Sequence, residues 1–316
     1  LAAAAALRGA EYDEHYSLFV SGPALRPDWP AEPFPAALAA ELQRPAAGPW
    51  DIARALRTTD VHPPLYFWLL ALWRRIAGDG LEAARALSAL CALGSLALTA
   101  LLARRAGAPP SLLGCHGFVH AGAVARGFPL AILLLLAGAA LRTGVGARPW
   151  LAGTLLGAAA GTNYLAAFAA AAIAARGPGR TWAVIGMAPF LAMDAWFFAA
   201  QRGSRPGQFP DFAWGPALGK LARDAGGAWF GGLPLYVPPA DEAWVATALG
   251  GACLALAALG GWFAWRRAPW LVAAELATPA GLLALGRAFG NAPFEIRYLS
   301  FALPFAAIAA AGGLAA

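Results

Sequence analysis

Two short stretches hold most of the residues in this chain that could do chemistry. The first contains two adjacent carboxylates, Asp13 and Glu14, and the second joins Asp60 and His62 to a pair of prolines and Tyr66. Adjacent carboxylates at the mouth of an apolar bundle repel each other, so the pKa of such a carboxyl is expected to rise, which suits a general base or a metal ligand. A solvated cap on a helix is the alternative for this pair.

The prolines that follow His62 stiffen the chain and begin an apolar helix at its first turn. An imidazole and a phenol held there could bind a phosphate or a sugar hydroxyl, so Asp60, His62 and Tyr66 are candidate substrate-binding residues. A histidine whose hydrogen bonds are satisfied at the membrane interface is the alternative for His62.

Arg297 and Tyr298, preceded by Glu295, open the last apolar run of the chain. A guanidinium at the membrane surface suits a phosphodiester, while a snorkelling side chain or a partner for Glu295 is the alternative. Asp194 lies within an apolar run, where it could have a functional role or pair with a residue of a neighbouring helix. Weaker candidates for the same region are Arg126, Asn163 and Tyr164.

The composition indicates which elements must position these side chains. Hydrophobic residues make up 60% of the 316 residues, charged residues only 13%, and the mean hydropathy is +0.58, which predicts an all-α polytopic membrane protein. Much of the net charge of +6 lies in short loops, where it indicates topology rather than a nucleic-acid partner. The sequence has no nucleotide-binding motif, so energy for any synthesis must arrive with the substrate.

The arginines orient the apolar runs. Candidate spans lie at 85–103, 108–124, 128–141, 149–163, 165–175, 181–200, 243–264, 269–287 and 298–316. Every second loop is basic, as expected of cytoplasmic loops, through Arg104, Arg105, Arg142, Arg148, Arg176, Arg180, Arg266 and Arg267. The loops expected together on the extracytoplasmic face are 8–84, 125–127, the Asn163-Tyr164 turn, 201–242 and 288–297.

Residues 65–77 are apolar, but counting them as a span would place every basic loop outside. They are predicted to form an interfacial helix with Trp68, Trp73, Arg74 and Arg75 at the headgroup level, and a short span is the alternative.

Glycine spacings of the GxxxG type predict helix packing, and the three cysteines, which lack disulfide or zinc spacing, are interpreted as core residues. The chain is predicted to be one domain, residues 1–316, truncated at both ends, with 1–7 as the tail of an earlier helix. Its parts are a first extracytoplasmic loop (8–84), a helix bundle (85–200), a second long loop (201–242) and C-terminal helices (243–316).

The order of these motifs resembles the GT-C fold glycosyltransferases of family 39 and the lipid A aminoarabinose transferase-like group. The resemblance spans nearly the whole chain. It rests on residues 11–17, residues 60–67, Arg85 opening a helix that ends in Ala103-Arg104-Arg105, residues 124–130, and Arg297-Tyr298-Leu299 with Leu303-Pro304.

The resemblance implies a transferase of the bacterial-type inner membrane that uses a polyprenyl-phosphate-linked sugar at its periplasmic face. Asp13 would be the general base that deprotonates an acceptor hydroxyl, and Glu14 would orient the acceptor or support that base. Attack on the anomeric carbon would expel the lipid phosphate with inversion. Arg297, assisted by His62 or Arg126, would stabilise the charge on that phosphate.

The partners implied are the polyprenyl-phosphate sugar donor, a lipid, glycan or protein acceptor, and membrane lipids. Many relatives have a Trp where this chain has Glu11-Tyr12, and the aminoarabinose branch has a Lys at the position of His62, so the donor sugar is not specified. Some GT-C enzymes use a divalent metal with acidic motifs, but clear ligand spacing is missing, so no metal ligand or cofactor is assigned.

A polytopic transporter or flippase of a lipid-linked or anionic substrate is the alternative from another class. It should carry ionisable residues near the middle of the membrane and broken helices related by a repeat. An inactive homologue that binds a lipid-linked sugar without turnover is a third interpretation.

Overall fold

The described part of the chain is built from helices. The computed structural model describes residues 5, 7–22, 32–44, 48–109, 114–144, 146–201, 209–231 and 243–316. Within these ranges there is no strand, only an isolated bridge between Asp211 and Asn291. The helices are α1 (Tyr12–Val20), α2 (Ala36–Leu42), α3 (Pro49–Thr59), α4 (Leu65–Ala77), α5 (Leu81–Ala106), α6 (His116–Ala123), α7 (Phe128–Thr143), α8 (Pro149–Ala160), α9 (Ala166–Ala174), α10 (Arg180–Gln201), α11 (Trp214–Phe230), α12 (Ala243–Arg267), α13 (Pro269–Phe289) and α14 (Leu303–Ala315).

Four helices in the described ranges are long and apolar enough to cross a membrane, namely α5, α10, residues Ala248–Arg267 of α12, and α13. Helices α6 and α7 qualify only as a pair, and they are bent by 115° at the break between them. Of the nine candidate spans, four therefore pass as single helices by length and composition, or five if the bent pair counts as one crossing. An all-α membrane protein is consistent with this architecture.

Three of the expected spans are much shorter as helices than as apolar runs. In the run 108–124, the helix begins only at His116, and residues 110–113 lie outside the described ranges. The run 149–163 gives twelve helical residues and the run 165–175 only nine, or about 14 Å at 1.5 Å per residue. Helices α8 and α9 therefore form a short hairpin whose turn holds Asn163 and Tyr164.

The region expected as a first loop contains the four helices α1 to α4. Helix α4 coincides with the segment predicted to be a helix at 65–77, but Arg74 does not lie at its surface. Arg74 is 1% exposed and donates to the carbonyl oxygen of Leu18 at 3.0 Å and to the hydroxyl of Ser21 at 2.9 Å. The guanidinium therefore stabilises the carboxyl end of α1, and the place of this helix at the headgroup level stays a prediction.

The second expected loop, 201–242, contains the seventeen-residue helix α11, which sequence reasoning had not assigned. Residues 202–208 and 232–242 of that loop lie outside the described ranges, as does most of the run 1–7. Helix α11 packs against α12 and α6 and so belongs to the bundle.

The acidic and basic motifs occupy opposite ends of the bundle. Arg85, near the start of α5, contacts α1, whereas Arg105, about 30 Å further along the same helix, donates to the carbonyl oxygen of Ala140 near the end of α7. Arg142 donates to the carbonyl oxygen of Pro178, after α9, at 2.6 Å. Exposed tryptophans flank this basic end at positions 150, 182 and 265. Such an aromatic and basic rim is typical of a membrane–water interface.

Glycines bring α8 and α10 into backbone contact, which confirms the packing interpretation of the GxxxG-type spacings. A Cβ at Gly153 would clash with the carbonyl oxygen of Ala183, and one at Gly157 would lie 2.9 Å from the Cα of Met187. Close approach of this kind is how apolar helices gain van der Waals contact inside a membrane.

Candidate functional site

Helix α1 places both acids of the first motif in its first turn. The backbone N–H of Glu11 donates to Oε2 of Glu14 at 2.9 Å, which caps the start of the helix. Carboxylates at this end of a helix are favoured by the exposed N–H groups and the helix dipole. Asp13 and Glu14 therefore point in different directions from the same turn, and they have different surroundings.

Glu14 is fully buried and its two oxygens accept four hydrogen bonds. Arg85 donates from Nε to Oε1 at 2.8 Å and from Nη2 to Oε2 at 2.6 Å, and the backbone N–H of Ala125 donates to Oε1 at 2.9 Å. The fourth bond is the one from Glu11. Burial raises the pKa of Glu14, but these hydrogen bonds outweigh it and hold the pKa below the usual value. Of the two roles implied for Glu14, support of the neighbouring base fits this geometry, since no lone pair is left for an acceptor.

Asp13 lies between two arginines from distant parts of the chain. Its Oδ2 accepts a hydrogen bond from Nη1 of Arg297 and lies 3.8 Å from Nη2 of Arg126. Arg297 also donates through Nε to Glu295, so the expected partnership with Glu295 exists alongside the one with Asp13. Asp13 and Arg297, 284 residues apart in the chain, are therefore in direct contact.

The expectation of a raised pKa for the acid pair is wrong. Burial raises the pKa of Asp13. The charges of Arg126 and Arg297, together with the hydrogen bond from Arg297, lower the pKa by more than burial raises it, so it lies below the usual value. The repulsion expected between Asp13 and Glu14 is overcome because each carboxylate has its own guanidinium partner.

His62 reaches the same site with its tautomer set by its neighbours. Asp60 is 0% exposed, and its Oδ1 accepts from the backbone N–H of Val61 at 2.7 Å and from Nδ1 of His62 at 2.9 Å. Nε2 of His62 lies 3.4 Å from Nη2 of Arg126, and a guanidinium can only donate, so Nε2 accepts and Nδ1 carries the proton. Asp60 therefore acts through His62 and cannot itself touch a substrate.

Gln201, at the end of α10, holds the backbone of the second motif in place. Its Nε2 donates to the carbonyl oxygens of Leu56 at 2.9 Å and His62 at 3.0 Å, and its Oε1 accepts from the hydroxyl of Tyr164 at 2.8 Å. The side-chain Oδ1 of Asn163 accepts from the backbone N–H of Leu165 at 3.1 Å and so stabilises the turn. Asn163 and Tyr164 thus stabilise the backbone around the second motif and do not contact Asp13.

The two remaining candidates, Tyr66 and Tyr298, are packing partners of the site. Tyr66 is 2% exposed and lies against Gly127, where a Cβ would come within 3.2 Å of its Cβ. The ring of Tyr298 stacks on Phe128 at 6.4 Å between centroids, and the guanidinium of Arg297 lies 5.7 Å from its centre. Tyr298 therefore orients Arg297, while Tyr66 lies beneath the turn that carries Arg126.

Comparison of the chain with protein-family models, with curated proteins and with solved structures finds no match. The function proposed below therefore rests on the geometry of the site and on the motifs of the sequence.

Sequence reasoning left three residues around the site off the list of candidates. Arg85 is the ion-pair partner of Glu14, and the sequence feature that could have identified it is a single arginine in the first turns of a long apolar helix. His120 lies 3.1 Å from Oε1 of Glu11, and its signal was the spacing of four residues from His116, which places both rings on one side of α6. Gln201 gave no signal, because a glutamine at the end of an apolar run is unremarkable.

An apolar cavity of about 320 Å³ lies beside the segment that carries Arg297. Helices α11, α12 and α13 line it, together with Leu299, Leu303 and Ala306, and the lining includes the acidic side chain of Glu275. Leu299 belongs to the same 3₁₀ helix, Ile296–Phe301, as Arg297. The cavity and the charged cluster are therefore joined by one short helix.

The cluster of Asp13, His62, Arg126 and Arg297, which we call the charged site, can bind an anion and accept a proton. The two guanidiniums supply donors for phosphate oxygens, and the carboxylate is 25% exposed beside them. Within the described ranges, no group of three or more His, Cys, Asp and Glu side chains is arranged to hold a metal ion.

Proposed function

We propose that this protein is an integral-membrane glycosyltransferase of the GT-C type. It moves a sugar from a polyprenyl-phosphate donor to a hydroxyl group of a lipid, glycan or protein acceptor. The observation that carries the proposal is the position of Asp13, whose Oδ2 contacts Arg297 and lies 3.8 Å from Nη2 of Arg126. Transfer from a phosphate-linked sugar needs a base and a phosphate-binding cation at one site.

In the proposed reaction, the acceptor oxygen attacks the anomeric carbon and the bond from that carbon to the phosphate oxygen breaks. The bonding electrons pass to the phosphate, which changes from a diester with one negative charge to a monoester with two. The acceptor proton passes to Asp13 and the sugar configuration inverts. Arg297 and Arg126 stabilise the growing phosphate charge, which is the largest electrostatic demand of the step.

The apolar cavity supports a donor with a hydrocarbon chain. Its lining is almost entirely aliphatic and aromatic, and Leu299 joins that lining to the 3₁₀ helix of Arg297. A prenyl chain bound there would bring its phosphate to the end of the helix that holds Arg297.

The separation of the acidic and basic motifs at opposite ends of the bundle supports one orientation of the protein in the membrane. With the arginine-rich end in the cytoplasm, as the positive-inside rule favours, the charged site faces the extracytoplasmic side of a bacterial-type inner membrane. The short helix α4 would then lie at the membrane interface, and the acceptor would be a component of the cell envelope.

Sugar transfer in membrane vesicles tests this function directly. Radiolabelled polyprenyl-phosphate sugars would be supplied to vesicles that hold the wild type, Asp13→Asn, or Asp211→Asn, an exposed acid that serves as the control. We expect label transfer by the wild type and the control, and a loss of about 100-fold or more in Asp13→Asn. Undiminished transfer by Asp13→Asn would remove Asp13 as the base, and retained donor binding without turnover in the wild type would favour an inactive homologue.

A transporter or flippase is the second candidate, and Asp194 favours it. This carboxyl lies in α10, is 7% exposed, and neither of its oxygens has a hydrogen-bond partner among the described residues. Unpaired acids within membrane helices are typical of proton and ion pathways. The test is whether the protein moves a fluorescent polyprenyl phosphate across the membrane of proteoliposomes. Movement that Asp194→Asn abolishes, with no sugar transfer by the wild type, would support this candidate over the transferase.

A further inference from the structure

The donors that would bind a phosphate in the charged site are engaged by Asp13. Nη1 of Arg297 donates to Oδ2 of Asp13, and Nη2 of Arg126 lies 3.8 Å from the same oxygen. Glu295 holds Arg297 through Nε, on a different edge of the guanidinium. One carboxylate oxygen therefore lies between the two guanidiniums, hydrogen-bonded to Arg297 and ion-paired with Arg126, in the space that a phosphate oxygen would take.

The surroundings of this contact allow exchange. Asp13 is 25% exposed and Arg297 is 29% exposed, so an anion can reach them. Arg126 is 6% exposed, and it donates to the backbone carbonyl of Asp13, to the hydroxyl of Ser17 and to Nε2 of His62. A partly exposed ion pair is weak, because water and salt compete with it. A phosphate group that offers several oxygens to two guanidiniums competes well with a single carboxylate oxygen.

We propose that Asp13 occupies the anion-binding position of the charged site, and that the phosphate of the prenyl-linked donor displaces it from Arg297 and Arg126. Donor binding then frees the carboxylate to accept the proton of the hydroxyl group that attacks. The inference rests on the proposed function for the identity of the anion and of the attacking group, and the exchange itself concerns only phosphate and carboxylate.

An order of binding follows from the exchange. Without donor, Asp13 is neutralised by two cations and is a weak base, so water at the site is not activated. After the phosphate has taken both cations, Asp13 is freed beside the anomeric carbon. The donor therefore binds first, and the acceptor binds to a site whose base has been released.

Affinity for a phosphate probe distinguishes this exchange from simple ligand binding. Farnesyl phosphate would be titrated by calorimetry into detergent-purified wild type and Asp13→Asn, with farnesol as the uncharged probe. Asparagine has nearly the shape of aspartate but no charge, so we expect Asp13→Asn to bind farnesyl phosphate about three- to tenfold more tightly and farnesol equally. Equal or weaker binding of farnesyl phosphate by this variant would overturn the inference.

Glu295→Gln is the matched variant, because it also removes one negative charge from Arg297. If Asp13 alone competes for the phosphate donors, Glu295→Gln tightens binding by less than about twofold. An equal gain in both variants would mean that net charge is responsible, which would also overturn the exchange. Asp211→Asn controls for charge on the exposed surface.

A measurement on the wild type serves if Asp13→Asn does not fold. Carboxyl groups would be labelled chemically with and without farnesyl phosphate, and the extent at Asp13 would be compared with Asp211 by mass spectrometry. Release predicts higher relative labelling of Asp13 with the phosphate bound, and unchanged or lower labelling contradicts it. Tighter phosphate binding without any sugar transfer would defeat the proposed function alone, whereas transfer by the wild type without tighter binding by Asp13→Asn would defeat this inference alone.

Discussion

Glu14 and Arg85, 71 residues apart in the chain, form a two-point ion pair between the start of α1 and the start of α5. Both side chains are buried, and the remaining hydrogen bonds of each go to backbone groups around them. The pair joins the first motif to the bundle, and it aims Asp13 at Arg297. Its integrity is therefore expected to matter for stability before it matters for chemistry.

Substitution of Glu14 by Gln is expected to destabilise the fold by about 3 kcal/mol, because it leaves the buried charge of Arg85 unpaired. Thermal unfolding of the detergent-purified protein measures the effect. Glu41→Gln, at an exposed position on α2, is the control and is expected to change little. A Glu14→Gln protein that melts with the wild type but transfers no sugar would instead assign Glu14 a direct part in catalysis.

Removal of Gln201 is expected to loosen the loop that carries His62. Gln201→Leu removes three hydrogen bonds, two of them to the backbone carbonyls of Leu56 and His62, a loss of about 2–3 kcal/mol. Tyr164→Phe removes only the bond between the tyrosine hydroxyl and Gln201, so it should destabilise by about 1 kcal/mol. Equal effects of the two variants in unfolding experiments would show that the contacts with Leu56 and His62 contribute nothing.

The contact between α8 and α10 is expected to tolerate no added volume. Gly153→Ala places a methyl group against the backbone of Ala183, so we expect a loss of about 2 kcal/mol or more. Gly261→Ala, in α12, has no atom within 4 Å of the new methyl group and should be neutral or stabilise the helix by about 0.5–1 kcal/mol. Melting temperatures of the two variants would be compared, and a neutral Gly153→Ala would contradict the close packing.

Acid is expected to unfold the region around the charged site. Burial raises the pKa values of Asp13, Glu14 and Asp60, but hydrogen bonds and nearby cations lower them below their ordinary values. Such carboxylates stabilise the folded state above the pKa of the unfolded chain, about 4, and this stabilisation is lost as the pH falls through the lower folded values. Melting temperature should therefore fall steeply below about pH 4.

Asp60→Asn is the variant that checks this acid sensitivity, since it removes one of the three groups that must be protonated. Its melting temperature should start lower at about pH 7 and fall less than that of the wild type between about pH 4 and about pH 3. A wild type whose melting temperature stays constant down to about pH 3 would show that these carboxylates do not have lowered pKa values.

The sequence was sufficient to predict the residues that meet at the charged site, but not their roles. Asp13, His62, Arg126 and Arg297 were all predicted from residue type and position relative to apolar runs, and the structure brings them together. Glu14 and Asp60 were equally prominent as acids, yet both are 0% exposed and act on neighbouring side chains. Exposure depends on which helix covers a residue, and a motif does not contain that information.

The lengths of the helices were the least accurate part of the prediction. Hydropathy locates apolar runs well, since α5, α10, α12 and α13 all coincide with expected spans. It does not show where a run turns, as at the 115° bend between α6 and α7. A segment that crosses a membrane and a segment that packs within a bundle can have the same apolar composition, so composition cannot distinguish them.

Composition and spacing by themselves determined that this is a helical, membrane-type chain and which of its few charged residues lie near one another at the ends of helices. These are local properties, set by hydrophobicity and by the positions of prolines and arginines along the chain. Only the tertiary structure decided that Arg297 holds Asp13 and that Arg85 holds Glu14. The pKa values of the two acids move down rather than up for the same reason, because electrostatic energy depends on distance in space, and residues 284 positions apart acquire that distance only when the chain folds.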